Sequence, residues 1–446
     1  MKELIKQKVI EYTPELLRYL EELVSYPSVL NDDAPPFGQA NIDCLNHAMQ
    51  IGRNLGFTSV NVDNYAGYIE IGKGEKLIGI VGHLDVVPVS DTWKTDPFKM
   101  TLIDGKYYGR GTSDDKGGVV CGLIAMKIVN ELVPDLNKRI RLIMGCNEEN
   151  GSACLRYYVE KHGAVDYGFT PDGSFPVVFG EKGMIFATLK APTSKILAIR
   201  GGTAHNAVCA SVIIEVPAYS FNQSDLYDYL DANGLDHFVS KGETWKLHVF
   251  GTAAHASTPE EGVNAISYAM EGLYKAGFDD EFVNVYHELV STGYYGEKTG
   301  IDLHDEYGRL TFNIGVIKKV DDTVETSIDI RFPVTMKSAP IIEEMVKNGK
   351  GYIIDAEGEE PLFFPLEHPM IQAMLKAYYD VTDSQYEPLT MGGGTYARDM
   401  PNIVAFGCDT QEFNWHIHDD NEFVTLKSLQ TQTEVYANAL LNLLEI

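Results

Sequence analysis

Two short apolar segments, KLIGIVG (76–82) and RIRLIMG (139–145), constrain this chain most, because each is followed at once by polar residues. A segment that stays apolar through successive positions fits a strand buried on both faces of an α/β sheet. Apolar residues at helical spacing over 2–25, 40–55, 118–134 and 151–162 alternate with these strands, and the strand-like runs SVNVDNYAGYIEIG and VDYGFTPDG complete the series. The alternation predicts a mostly parallel sheet flanked by helices, with ligands gathered beyond the carboxyl ends of the strands.

After about residue 180 the texture changes. Alternating runs such as MIFATLKAP, TWKLHVFG, RLTFNIGVI and VETSIDIRFPVT are interleaved with helical patterns at 262–276 and 337–348. The buried-strand and helix patterns return with 368–380, IVAFG and 425–444. A chain of 446 residues is too long for one ordinary core. The economical division is an α/β catalytic domain made of 1–180 and 363–446, interrupted by an inserted α+β domain at 181–362.

The formal charge, 36 minus 64 or −28, argues against nucleic acid and against anionic membrane surfaces as partners. Six cysteines at 44, 121, 146, 154, 209 and 408 show no CxxC spacing, and reduced thiols are the expectation. The charged segment MKELIKQKVIEYTPELLRYLEELV lacks the apolar stretch of a signal peptide, and no apolar run reaches membrane-spanning length. A cytoplasmic protein is expected.

The residues suited to chemistry sit where strands end. His83 and Asp85 directly follow KLIGIVG. An HxD pair alone is more often plain surface or core polarity. At a strand end, however, alternate side chains point the same way, so His83 could face a metal while Asp85 steadies its other ring nitrogen. GRGTSDDKGG (109–118) could be a glycine-rich turn with an acidic helix cap. The phosphate-loop pattern is missing, and an acidic pair would repel phosphate. A carboxylate there could instead bridge two cations. In CNEENGS (146–152), adjacent glutamates on extended backbone point oppositely, so one can bind metal while the other faces the cleft as a general base. Asp172 follows the next run, and WHIHDDNE (415–422) brings a second histidine.

Taken in order, GHLDVVP (82–88), YGRGTSDDKGG (108–118), NEENGS (147–152), TPDG (170–173), GTAAHASTPEEGVNAI (251–266), GGGTYAR (392–398) and HDDNE (418–422) span nearly the whole chain. This set resembles the co-catalytic metallopeptidase family that holds aminoacylases, carboxypeptidase G, succinyl-diaminopimelate desuccinylase and the dipeptidase V type. Length and the large insertion are most similar to the last. The resemblance implies that His83 and Asp172 hold one divalent metal ion, that Glu149 and His418 hold a second, and that Asp114 bridges both. It implies a cis peptide after Asp114. Glu148 would be the general base and Asp85 the orienter of His83.

By the same resemblance the insertion is a lid that supplies His255 to polarise the scissile carbonyl, although His255 and Ser257 could equally cap the helix that follows. Asn206, Arg331, Gly393 and Arg398 would receive the carboxyl end of a small peptide substrate. Zinc suits the donor set, and manganese or cobalt is also admitted. A lid of about 180 residues could deliver His255 within one chain, which makes a monomer the expectation. The nearest rival is a deacylase or desuccinylase of N-acyl amino acids. A non-catalytic binding protein on the same fold would be expected to lack ligands or base, and here all are present.

Overall fold

The computed structural model describes residues 1–408 and 415–446, and the chain divides into two compact units. The first comprises 1–180, 364–389 and 394–446; the second comprises 181–363 and 390–393.

In the first unit the apolar run Leu77–His83 is a strand with every residue buried. It pairs in parallel with Arg139–Gly145 on one side and Tyr167–Thr170 on the other, and Tyr167–Thr170 pairs in parallel with Ile403–Ala405. The parallel pairings lie at this centre. Thr58–Val62 and Ala66–Gly72 form an antiparallel hairpin laid antiparallel on Arg139–Gly145, and Val178–Glu181 meets Ile403–Ala405 in antiparallel register. The parallel centre flanked by helices is the expected α/β arrangement, and one antiparallel edge forms because the Asp63–Tyr65 turn folds the SVNVDNYAGYIEIG run back on itself, with Asp63 and Asn64 at φ of 52° and 62°.

Helix Lys116–Leu132 is buried without interruption from Lys116 to Met126, which suits an element enclosed on all sides over that stretch. It packs on strands Leu77–His83 and Arg139–Gly145 and against helices Lys2–Val24 and Leu426–Leu444. All three central strands that precede the candidate residues end at the same rim: His83 closes its own strand, Gly145 precedes the Glu148–Glu149 turn, and Thr170 precedes Asp172.

The second unit contains one eight-stranded sheet in the order His237–Lys241, Thr244–Phe250, Ser211–Pro217, Ala198–Gly201, Thr311–Val320, Thr323–Phe332, Gly183–Pro192, Ile353–Glu359. Every neighbouring pair is antiparallel. Gly183–Pro192 alternates buried and half-buried positions, so Ile185, Ala187, Leu189 and Ala191 face a core they share with helices Ala265–Lys275, Glu281–Leu289 and Ser338–Asn348. Fully burying an aliphatic side chain of this kind contributes about 1.5–3 kcal/mol. Helices Gln223–Ala232 and Glu281–Leu289 were not anticipated; each is short and is capped by an Asn or Asp side chain, Asn222 and Asp280. Among the described residues no helix is long and apolar enough to cross a membrane.

Candidate metal centre

At the rim of the first unit, five segments remote in sequence bring their polar side chains together. The His83 imidazole is fully buried, and its Nε2 lies 3.0 Å from one carboxylate oxygen of Asp114. The other Asp114 oxygen lies 2.9 Å from Nε2 of His418, which is also 3.0 Å from Glu149. Asp172 joins the cluster through a second set: ligand atoms of His83, Glu148 and Asp172 lie within 4.8 Å of one another, as do those of His83, Asp114 and Glu149. Two imidazole nitrogens and several carboxylate oxygens at such spacing are a donor set that zinc, manganese or cobalt accepts.

The backbone holds these side chains in place. The Asp114–Asp115 peptide is cis. His83 Nδ1 is 3.0 Å from the carbonyl oxygen of Asp85, whereas the Asp85 carboxylate is 3.6 Å away. That carboxylate instead accepts the backbone N–H groups of Glu148 and Glu149, at 3.0 and 3.1 Å. Asp85 therefore orients His83 by its main chain and fixes the glutamate turn by its side chain, a division of labour that residue spacing could not reveal.

Burial works against charge on Asp114, yet hydrogen bonds from His418 and His83 hold its carboxyl well below the usual carboxylate range. Burial and the charge of Asp114 push Asp172 up to about 7. Burial, with Asp172 beside it, pushes Glu148 well above the ordinary range. Hydrogen bonds to Asp114 and Glu149 push the His418 imidazole up to about 11. His83 is opposed by burial but is raised by its bond to Asp114 and by the charges of Asp114, Asp85 and Glu148.

Both imidazoles accordingly hold protons near neutrality when no cation competes, and a metal must displace them. Because the protonated forms persist to higher pH than in a free histidine, acid weakens metal binding and alkali strengthens it. Zinc affinity is expected to rise with pH from about 6 to beyond 8, because His418 holds its proton up to about 11, with at least about two protons released per chain near pH 7 from the two imidazoles and Asp172. Calorimetry in two buffers of different ionisation enthalpy measures that release; pH-independent binding with none contradicts it.

Residues not singled out from the sequence frame the cluster. Tyr396, fully buried, sets its ring edge-on to His83 at 6.1 Å between centroids and its hydroxyl 3.0 Å from Cys154 Sγ. A Cβ on Gly145 would lie 1.9 Å from that hydroxyl, so only glycine leaves room for it. Asp115 accepts the His83 N–H at 3.2 Å. Glu422, wholly buried, accepts from Arg110 and from the N–H groups of Gly111, Ser113 and Asp114.

The remaining candidates lie mostly in the second unit. Ala207 and His255 form an isolated antiparallel bridge, and the Ala256 N–H donates to the carbonyl of Asn206 at 2.9 Å, so Asn206 and His255 are neighbours through the backbone. Asn313 and Thr311 pin these loops by bonding the carbonyls of His205, Ala207 and Ala256. His255 Nδ1 accepts the Ser257 N–H at 3.2 Å, which in the neutral ring leaves the proton on Nε2. The helix that follows is capped by Asn264, so His255 and Ser257 do not cap it.

Arg331 is buried and differs from the expected free grip: Nε and Nη2 engage Asp329 at 2.7 and 2.9 Å, and Nη1 donates to the Gly392 carbonyl at 3.1 Å. Gly392 in turn packs so close to Ser257 that a Cβ would lie 2.2 Å from it. Gly393 follows in the same turn. Arg398 belongs to the first unit, where its side chain lies over Gly394.

Residues 79–442 match the model of the peptidase family M20/M25/M40. A Staphylococcus haemolyticus protein that carries a provisional dipeptidase name is 32% identical over 98% of this chain and 99% of its own length. Another provisionally named dipeptidase, from Bacillus subtilis, is 31% identical over 98% of both chains. Human carnosine dipeptidase 1 shares the fold, with a TM-score of 0.61 at 18% identity, covering 100% of this chain and 99% of that one. The chain belongs to peptidase family M20/M25/M40.

Proposed function

We propose that this chain is a dipeptidase dependent on two divalent cations, with zinc the first choice and manganese or cobalt admitted by the carboxylate-rich donor set. The observation that carries the reading is the Asp114 carboxylate, whose two oxygens face two different histidines at 3.0 and 2.9 Å. In this reading His83 and Asp172 hold one cation, Glu149 and His418 hold the other, and Asp114 serves both. When bound, such a pair supplies Lewis acidity, favouring deprotonation of water and charge on the amide oxygen.

Glu148 receives the proton of the attacking water and hands it to the departing amine, a role suited to a carboxyl whose proton affinity burial has raised. Support for the assignment is its place beside His83 and Asp172, with its backbone fixed by Asp85. His255 donates its Nε2–H to the developing oxyanion, a contribution of about 3 kcal/mol for a donor of this type. Asn206, Arg331, Gly393 and Arg398 receive the carboxyl end of the dipeptide, and the second unit acts as a lid.

The protein works as a monomer in this reading, consistent with an insertion large enough to build one continuous eight-stranded sheet. Six buried cysteine thiols fit a reducing, cytoplasmic setting. The names of the staphylococcal and Bacillus relatives favour a dipeptide with a free amine over an N-acyl amino acid. Comparing Ala-containing dipeptides with their N-acetyl forms decides between them: kcat/KM is expected to be at least about 100-fold higher for the free amine. Preference for the acetylated form transfers the assignment to a deacylase.

A further inference from the structure

We propose that Glu422 is a positioning residue that couples the two cation sites, an inference that rests on the two-cation reading above. Among the described residues it is not one of those that offer a ligand atom to the cluster. Its influence runs through the backbone of the bridging ligand. One carboxylate oxygen accepts the N–H groups of Ser113 and Asp114, at 2.8 and 3.1 Å. The other accepts Arg110 Nη1 at 2.9 Å and the Gly111 N–H at 3.0 Å. Every partner is a donor, so both oxygens are used and only a carboxylate answers the set.

Glu422 also ends the turn that begins with His418. Each intervening residue is tied down as well. The Asp419 carbonyl accepts from Arg110 Nη2 at 3.0 Å, the Asp420 carboxylate accepts the hydroxyls of Ser90 and Thr92, and Asn421 Oδ1 accepts the Lys94 N–H at 2.8 Å. His418 and Asn421 sit at φ of 63° and 66°, a left-handed backbone that such anchoring must sustain. Glu422 thus joins the loop carrying Asp114, common to both cations, to the turn carrying His418, which serves one. Loss of the tie should release His418 relative to Asp114 and weaken the second cation more than the first.

Two variants separate positioning from plain fold stability. Glu422→Gln keeps the shape but places an amide donor against other donors and leaves Arg110 buried without its charge partner. Glu422→Asp keeps the charge for Arg110 yet shortens the reach toward Ser113 and Asp114. Each is loaded with cobalt and followed by its visible absorption against a competing chelator, alongside kcat, KM and circular dichroism. The expected result is a folded protein that binds its first cobalt within about threefold of wild type and its second roughly 10–100-fold more weakly, with kcat reduced and KM little changed.

If Glu422→Gln does not fold, Glu422→Asp alone carries the test. Wild-type affinity and spectrum at both sites in a folded Glu422→Asp overturns the proposal, as does equal weakening of both sites. A wild-type protein that takes up fewer than two cobalt ions refutes the two-cation reading instead, which keeps the two failures distinct.

Discussion

Exchange of Glu148 for glutamine is expected to lower kcat by about 10³-fold while both cations remain bound, a loss within the range for removal of a positioned general base. The size follows from the place of the carboxyl. In the pair that links the two halves of the cluster, His418 contacts Asp114 at 2.9 Å and Glu149, the neighbour of Glu148, at 3.0 Å. The Glu148 backbone N–H is held by Asp85, so the turn should survive the exchange. Glutamine keeps the volume but cannot take a proton. The same variant separates the roles of adjacent glutamates, since Glu149→Gln should lose metal as well as rate. Metal analysis and steady-state kinetics on the two variants check the contrast; an unchanged kcat in Glu148→Gln removes it from the reaction.

Asp114→Asn should have the largest effect of any single exchange on cation content. The native carboxylate presents an oxygen to each histidine, at 3.0 Å to His83 and 2.9 Å to His418. Asparagine offers one oxygen and one amide that can only donate, so one side of the bridge becomes a repulsive N–H against an imidazole or a cation. It also removes a negative charge from a cluster in which burial and mutual repulsion raise the Glu148 and Asp172 carboxyls. At least one cation per chain should be lost, and kcat/KM should fall by more than about 10³-fold. Elemental analysis after gel filtration reads the first effect, and dipeptide turnover reads the second. Retention of two cations with near-normal turnover would show that the bridge lies elsewhere.

What could be read in advance was whatever depends on short range. KLIGIVG could only be a buried strand, and a polar His83 at its end could only point from the carboxyl rim, so the placement of His83, the Glu148–Glu149 turn and Asp172 followed from local pattern. Pairing of those residues across the rim is different. Glu422 meets Asp114 across 308 residues and Tyr396 meets Cys154 across 242, and no periodicity carries such information. The quoted motifs, through their resemblance to known enzymes, supplied the grouping that spacing could not.

The differences have local causes. Asp85 was expected to address His83 with its carboxylate, but a carbonyl two residues on is the nearer acceptor for Nδ1, and two backbone N–H groups compete for the side chain. Arg331 was expected as a grip for a substrate carboxylate, and Asp329, on the same strand face two residues earlier, orients its guanidinium, a pairing that the motifs did not reveal. The antiparallel hairpin at one edge of the first sheet arises from a three-residue turn without glycine, Asp63–Tyr65, a weaker turn signal than Asn-Gly.

Anomalous diffraction from a zinc-loaded crystal tests the central claim most directly. Two peaks per chain are predicted, one on each side of the Asp114 carboxylate, the first contacted by His83 and Asp172 and the second by Glu149 and His418. A single peak, or two peaks that do not share Asp114, would contradict the account.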